Sequence, residues 1–375
     1  MSPAVFQDIV PVGELSSLQA MKELVSFPMV NPVFVCVISY TATCEIPQIT
    51  FAGANPLLLR FTSPADAEFL YYGHCKCIDK VPVTPDGKPT PAIITRAALR
   101  LSGIPFFVVE AGSKIKPSIP HISFNLPPGN NIRSGIGLNI GDVKKAYEYG
   151  VILGSQFART NSTVIIGESI PGGTTTALGI LTALGIDAKN KTSSSMPQNP
   201  HDLKNQIVLE GMKNANISFG GLQGDPLKAV SILGDPMVPS VAGIVNGILR
   251  LTSSNAHVIL AGGTQMASVL AVLKSMDCPL ERICIGTTAY VAEDRSSNLA
   301  KLVKTISADI RIYKSDPHLA YSSYPGLQAF ARGYVKEGVG AGGASIAAML
   351  KSGGQINGDI LLREVEQEYY ALSSK

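Results

Sequence analysis

A short apolar run, a glycine-bearing turn and then a helix-like stretch recur along this chain. That alternation limits the fold more than any other feature. The apolar runs cover residues 33–38, 48–51, 106–109, 164–166, 258–260 and 283–285, and most are rich in β-branched residues. Runs of this length are strand-sized, and an intervening helix returns the chain to start a parallel neighbour. Residues 141–159 read as one such helix with Asp142 as its N-cap. Residues 174–184 read as a second, stopped by Gly185, and 266–274 as a third. The alternation predicts βαβ units and a mostly parallel sheet, hence an α/β protein.

Length and composition narrow the choice further. A chain of 375 residues accommodates two or three domains, or one large α/β domain with a smaller attachment. Hydrophobic residues make up 45% and charged ones 16%, a balance opposite to that of a disordered chain. The net charge of +3 is too small to imply nucleic acid, and the absence of Trp weakens a stacking platform for single strands. Residues 1–12 carry Asp8 and no basic-then-apolar leader, and no run approaches a spanning helix of roughly 18 residues. The expectation is a soluble, cytoplasmic protein. Cys36, Cys44, Cys278 and Cys284 lie in apolar surroundings and read as core. The cluster His74-Cys75-Lys76-Cys77 lacks the second pair of ligands that a structural zinc site needs, so no metal is expected. The histidines form no paired ligand motif and no Gly-x-Ser-x-Gly elbow occurs, which leaves metal catalysis and serine hydrolysis without support.

The chain ends and one internal stretch are also readable. Leu15, Leu18, Met21 and Leu24 fall at helical spacing, and 359–375 reads as a charged amphipathic helix packed on the outside. Residues 189–205 are polar, with Ser193 to Ser195, Pro197 and Pro200, and read as a solvated connection or a loop covering substrate.

The chemistry concentrates in glycine-rich turns. The segment Gly167-Glu-Ser-Ile-Pro-Gly-Gly-Thr-Thr-Thr176 nearly spells a P-loop, with Gly173 where the lysine would stand. Without that point charge a triphosphate is poorly served. A helix start with the hydroxyls of Thr174, Thr175 and Thr176 behind Gly172 suits a single phosphate monoester. Glu168 in this loop would repel the phosphate, so it is expected to face a ribose hydroxyl, a cationic ring or the positive helix end. The string Glu337-Gly-Val-Gly-Ala-Gly-Gly343 opens a helix at 345–350. Gly338 and Gly340 would let backbone approach a ligand, and Glu337 is a candidate general base. Gly262 and Gly263 form another strand–glycine–helix turn. Asn131 and Arg133 lie in a polar glycine-rich loop, where the arginine meets a carboxylate or phosphate, or simply solvent. Such turns at the carboxyl ends of parallel strands are where open α/β sheets bind ligands.

Four of these segments together resemble the nicotinate-nucleotide–dimethylbenzimidazole phosphoribosyltransferase family, specifically an archaeal and cyanobacterial branch related to it. Phe107-Val-Val-Glu-Ala-Gly112 is similar to the family's Val-Val-Asp-Val-Gly strand end. Asn130-Asn-Ile-Arg-Ser-Gly-Ile-Gly137 resembles its Gly-Thr-x-Asn loop. Gly167-Glu-Ser-Ile-Pro-Gly-Gly-Thr-Thr175 resembles Gly-Glu-Met-Gly-Ile-Gly-Asn-Thr-Thr. Glu337-Gly-Val-Gly-Ala341 resembles Glu-Gly-Thr-Gly-Ala, whose glutamate is the family's catalytic base. The resemblance spans about residues 48–350.

It implies a doubly wound, Rossmann-like three-layer α/β domain at 31–324, a small helical domain from both chain ends at 1–30 and 325–375, and a homodimer. It implies transfer of phosphoribose from nicotinate mononucleotide to a heterocyclic base in cobamide lower-ligand synthesis, with no metal or cofactor. The departures fall mainly on the base side. The family's Phe-Ala-Gly-Asp-His stands here as Phe51-Ala-Gly-Ala-Asn55, and Lys88 and Ala97 lie where its base-facing serine and glutamine are expected. Gly173 replaces the asparagine before the threonine pair. Asn55 and Lys88 are therefore the base-pocket candidates, and the acceptor stays open between dimethylbenzimidazole, adenine and a similar base. A non-catalytic nucleotide- or base-binding protein and a nucleosidase using water remain the alternatives.

Overall fold

The computed structural model describes residues 6–13 and 17–373. Among them, strands β1 (Ile9–Pro11), β2 (Pro32–Ile38), β3 (Phe106–Glu110), β4 (Ile122–Ser123), β5 (Thr163–Ser169), β6 (His257–Ala261), β7 (Ile283–Thr288) and β8 (Arg311–Ser315) form one sheet. Its order is β1-β8-β7-β6-β5-β2-β3-β4, parallel except where β1 runs against β8. From β2 the chain winds outward through β3 and β4. It then returns to β5 on the other side of β2 and proceeds through β6, β7 and β8. The winding reverses between β2 and β5, which makes their carboxyl ends the switch point of the sheet.

Alternation along the strands feeds two cores. Val33, Val35 and Val37 of β2 join Val164, Ile166, Val258 and Leu260 on one face. There they meet the helices Ile140–Thr160, Gly173–Ala183, Met237–Leu249 and Thr264–Ser275. Phe34, Cys36 and Ile38 join Ile165, Ile259 and Cys284 on the other face, beneath the helices Ala92–Ser102 and Ala341–Lys351. All seven residues of β2 are buried, as expected of a strand covered on both sides. The result is the three-layer doubly wound arrangement.

Several expectations change in detail. Residues 48–51 form a turn rather than a strand, because Gln48 adopts φ +65° and breaks the extended run. The helix expected at 141–159 begins at Ile140, and Asn139, not Asp142, caps it by accepting from the amide of Gly141 at 2.7 Å. The two chain ends meet: helix Ser17–Val25 and the terminal helix Gly358–Ser373 lie on the side of Ala341–Lys351. They share one core with the sheet face, and β1 extends the sheet itself. Packing therefore shows no break at residues 30 and 325. Leu15 and residues 374–375 lie outside the described residues, as does the side chain of Leu18.

Candidate active site

Two glycines bring the two acid-bearing loops together. At Gly167 an added Cβ would lie 2.9 Å from the Cα of Gly340, and Gly340 itself turns at φ +70°. With no side chain on either, the amide of Val339 donates to the carbonyl of Glu168 at 2.8 Å. The end of β5 and the loop ahead of helix Ala341–Lys351 therefore lie in contact. Between them and the surrounding turns opens a cleft. It lies off the carboxyl ends of β5, β6 and β7, beside the switch point.

Glu337 faces the cleft and is held by backbone. One oxygen accepts from the amide of Thr288 at 2.8 Å and from the Thr287 hydroxyl at 3.3 Å. The amides of Gly338 and Gly342 approach at 3.2 and 3.3 Å. Burial pushes its carboxyl up to about 7, against these donors, which favour the ionised form. Glu168 lines the same cleft. Burial raises its carboxyl well above the usual range, and the nearby Asp235, Glu337 and Asp66 raise it further. Asp66, on helix Leu59–Tyr72, is a third acid of the lining. It accepts from Thr90 and Ser169, each at 2.7 Å, and burial pushes it up to about 7. A cation bound among these three carboxyl groups would favour their ionised forms.

Helix starts make up another part of the lining. Gly172 turns at φ +78° against Cys44, and helix Gly173–Ala183 follows with Thr174 on the lining. After β6, Gly263 leads into helix Thr264–Ser275, and the Gln265 side chain lies against Gly173. Two positive helix ends thus face one cavity, the electrostatics that an anion needs. Ser193, Ser194 and Ser195 close the side. The first two are buried, so this stretch is a wall of the cleft and not a solvated connection. Ser195 accepts from the amide of Phe51 at 2.9 Å, and the Thr264 hydroxyl accepts from the amide of Ser193 at 2.8 Å. Behind them the buried Lys204 donates to the carbonyl of Ser193. Lys336 pairs with Asp294 at 3.0 Å and donates to the carbonyl of Met196.

Of the residues expected at the site, Glu168, Gly172, Gly173, Thr174, Gly263, Gly338, Glu337 and Lys88 line this cleft. Lys88 pairs with Asp86 and its ammonium lies 4.6 Å from the Tyr334 ring centre. The others lie elsewhere. Thr175 is fully buried, and the Thr176 hydroxyl donates to Asp235 in the interior. Successive helix residues turn by about 100°, so one threonine of the three faces the cleft. Gly262 and Gly340 serve close packing beside Met266 and Gly167. Asn131 caps a short turn by accepting from the amide of Arg133, and Arg133 pairs with Glu210 at 2.7 Å. The buried Ile132 between them anchors that loop against helix His201–Asn214. Asn55 accepts from the amides of Leu57 and Leu58. Asp66 and Gln265 were missed, while the serine stretch follows the second of its two readings in lying against the cleft. An acid inside the apolar stretch Pro64-Ala-Asp-Ala67 was the available signal for the first of these.

The six cysteines are free thiols, and among the described residues no group of three or more His, Cys, Asp or Glu could hold a metal. No helix of the described residues is long and apolar enough to cross a membrane.

An open α/β sheet with an acidic, helix-capped cleft at its switch point defines the class. The chain belongs to the UPF0284 family. It is 43% identical over 325 residues to the UPF0284 protein of Methanothermobacter thermautotrophicus, covering 85% of this chain and 88% of that one. With the UPF0284 protein of Archaeoglobus fulgidus it shares 44% over 336 residues, 90% and 92% of the two chains. No family model matches. Among solved structures the fold is similar to CobT from Thermus thermophilus, at a TM-score of 0.58 and 15% identity over 91% of this chain and 88% of that one. A nicotinate-nucleotide–dimethylbenzimidazole phosphoribosyltransferase structure from the same organism gives a TM-score of 0.54 at 13% identity, covering 88% of each chain. The fold is that of these phosphoribosyltransferases.

Proposed function

We propose that this protein transfers phosphoribose from nicotinate mononucleotide to a heterocyclic base, a step of cobamide lower-ligand assembly. The observation that carries the reading is the presence of Glu337 and of the Thr174 helix start on the walls of one cleft. The phosphate would lie at the two helix ends, and the cationic pyridinium toward the carboxyl groups. Glu337, ionised, takes the proton from one ring nitrogen of the incoming base. The other ring nitrogen attacks the ribose C1′, and the bond to nicotinate breaks with its electron pair returning to the pyridine nitrogen. Nicotinate leaves neutral at that nitrogen while Glu337 carries the proton, so a cation and an anion vanish together in a poorly solvated place. Such a step needs orientation and charge placement above all. A homodimer belongs to the same reading, and light scattering of the purified chain tests it.

The test of the reaction is release of free nicotinate from nicotinate mononucleotide when a base is supplied. The expected result is base-dependent release that falls by about 10²–10⁴-fold in Glu337→Gln. No release with any base, or full activity in that variant, refutes the proposal. Ribose 5-phosphate formed without an acceptor would identify a nucleosidase instead.

A further inference from the structure

The loop that carries Glu337 is strained at both ends. Val335 and Val339 adopt φ +39° and +54°, where a β-branched side chain crowds its own backbone. Such conformations persist only where the surroundings over-determine them. On one side of Glu337 the amide of Val339 donates to the carbonyl of Glu168 at 2.8 Å, and its own carbonyl accepts from the Thr95 hydroxyl at 2.9 Å. On the other side the amide of Val335 donates to the carbonyl of Ser195 at 2.9 Å, and the Thr288 hydroxyl donates to the carbonyl of Lys336 at 2.6 Å. The Lys336 side chain completes the hold through Asp294, and the two side chains are 3% and 8% exposed. Asp294 in turn accepts from the Ser193 hydroxyl at 3.1 Å and from the amide and hydroxyl of Ser296 at 2.9 and 2.7 Å. A buried ion pair is a costly way to fill space, and apolar residues of the same volume often serve stability as well. What the pair adds is direction. The ammonium has to meet Asp294 and the Met196 carbonyl together, which sets where residue 336 stands against the serine wall, and Glu337 with it.

We propose that Lys336, through Asp294, is a positioning residue: the pair holds the strained loop in place and so keeps the Glu337 carboxyl on the amides of Thr288 and Gly342. The effect on rate rests on the transfer proposed above; the placement of Glu337 does not. Lys336 lines the cleft, but Asp294 matches its charge inside the wall. Removing both charges together therefore leaves the net charge of the site unaltered and no ion orphaned. What changes is where the base stands, and a misplacement of about 1 Å costs about 10²-fold.

The experiment combines Lys336→Met with Asp294→Asn, whose amide oxygen still accepts from Ser296. A triple variant adds Val335→Gly, since glycine takes a positive φ without strain. Two readouts are compared with wild type: hydrogen exchange at the amides of Thr288 and Gly342, whose partner is the Glu337 carboxyl, and nicotinate release. The double variant should exchange these amides about tenfold or more faster. It should lose about tenfold or more in kcat, with KM for nicotinate mononucleotide within about threefold. Val335→Gly should restore most of both losses, because a relaxed turn needs no anchor. Wild-type exchange in the double variant overturns the inference. So does a loss that Val335→Gly leaves untouched, which would make the pair packing alone. If the double variant does not fold, Asp294→Asn by itself, with and without Val335→Gly, carries the same comparison. If no base releases nicotinate from the wild-type protein, the transfer reading fails, and the exchange rates still decide the role of Lys336.

Discussion

Glu337 and Glu168 look into one cleft from loops that touch, yet the chain holds them differently. Glu337 has amide donors from Thr288, Gly338 and Gly342 and a hydroxyl from Thr287. Glu168 has the amide of Ile170 and three acids nearby. Donors stabilise the charged form and burial opposes it, so the count of donors separates two otherwise similar carboxyls. Glu337 lies near 7, where a base can both take and return a proton. Glu168 is raised well above the usual carboxylate range by burial first, and then by its acidic neighbours. Burial acts on both acids; what differs is the set of backbone and hydroxyl donors on Glu337 against the ring of acids around Glu168.

The largest effect expected from this contrast is kinetic. Glu337→Gln should lower kcat/KM by about 10²–10⁴-fold, while Glu168→Gln should cost under about tenfold. In the wild type kcat/KM should rise with pH through about 7, as Glu337 ionises. Glu168→Gln keeps the volume and removes one acid near Glu337, so the midpoint reports whether Glu168 carries charge while Glu337 titrates, and a shift under about half a unit is expected. A midpoint that drops by a full unit would mean Glu168 is charged, and the contrast would be lost.

Stability offers the second way to break it. The contact of Gly167 with Gly340 is what sets the acids side by side. Gly340→Ala places a methyl 2.9 Å from the Gly167 Cα and 3.0 Å from the Ala261 Cβ, at φ +70°. The expected cost is about 2–4 kcal/mol of unfolding free energy, read by denaturant titration. Unchanged stability would show that the loops have slack.

How far these features were legible depends on what local sequence encodes. The β-branched runs of β2, β5, β6 and β7 were readable because strands buried on both faces stay apolar throughout. β8 was not, since Arg311 and Lys314 interrupt it and it lies one strand from the edge, inside only β1. Glu168 and Glu337 stood out as single acids among glycines. Which threonine faces the cleft depends on where the helix starts, a shift of one residue that sequence does not fix. Arg133 is polar, flanked by glycines and still outside the cleft, because the buried Ile132 holds its loop on another helix.

A third test concerns the acid behind the cleft. Burial pushes Asp235 up to about 6, while its Thr176, Met237 and Val238 donors pull the other way. The folded chain therefore binds this proton more tightly than the unfolded one. That is favourable at acid pH, and the benefit is lost as pH rises from about 4 to above 6. Asp235→Asn removes the titration. Relative to wild type, the variant should gain about 1–3 kcal/mol between pH 5 and pH 8, measured by thermal or urea unfolding at each pH. No change in the gap would mean that Asp235 is more solvated than its packing indicates.

The smallest effect separates the cleft from the loop that most resembled part of it. Arg133 and Glu210 form an ion pair whose members are 40% and 38% exposed, so Arg133→Ala should cost about 0.2–1 kcal/mol. Nicotinate release should stay within about twofold, because neither Arg133 nor Asn131 lines the cleft of its own chain. A loss above tenfold with stability unchanged would need a different geometry. The guanidinium would then have to reach the cleft of a second protomer, where it could meet the phosphate bidentately. The same substitution therefore measures two things: whether the helix ends alone suffice for the monoester, and whether one chain makes the whole site.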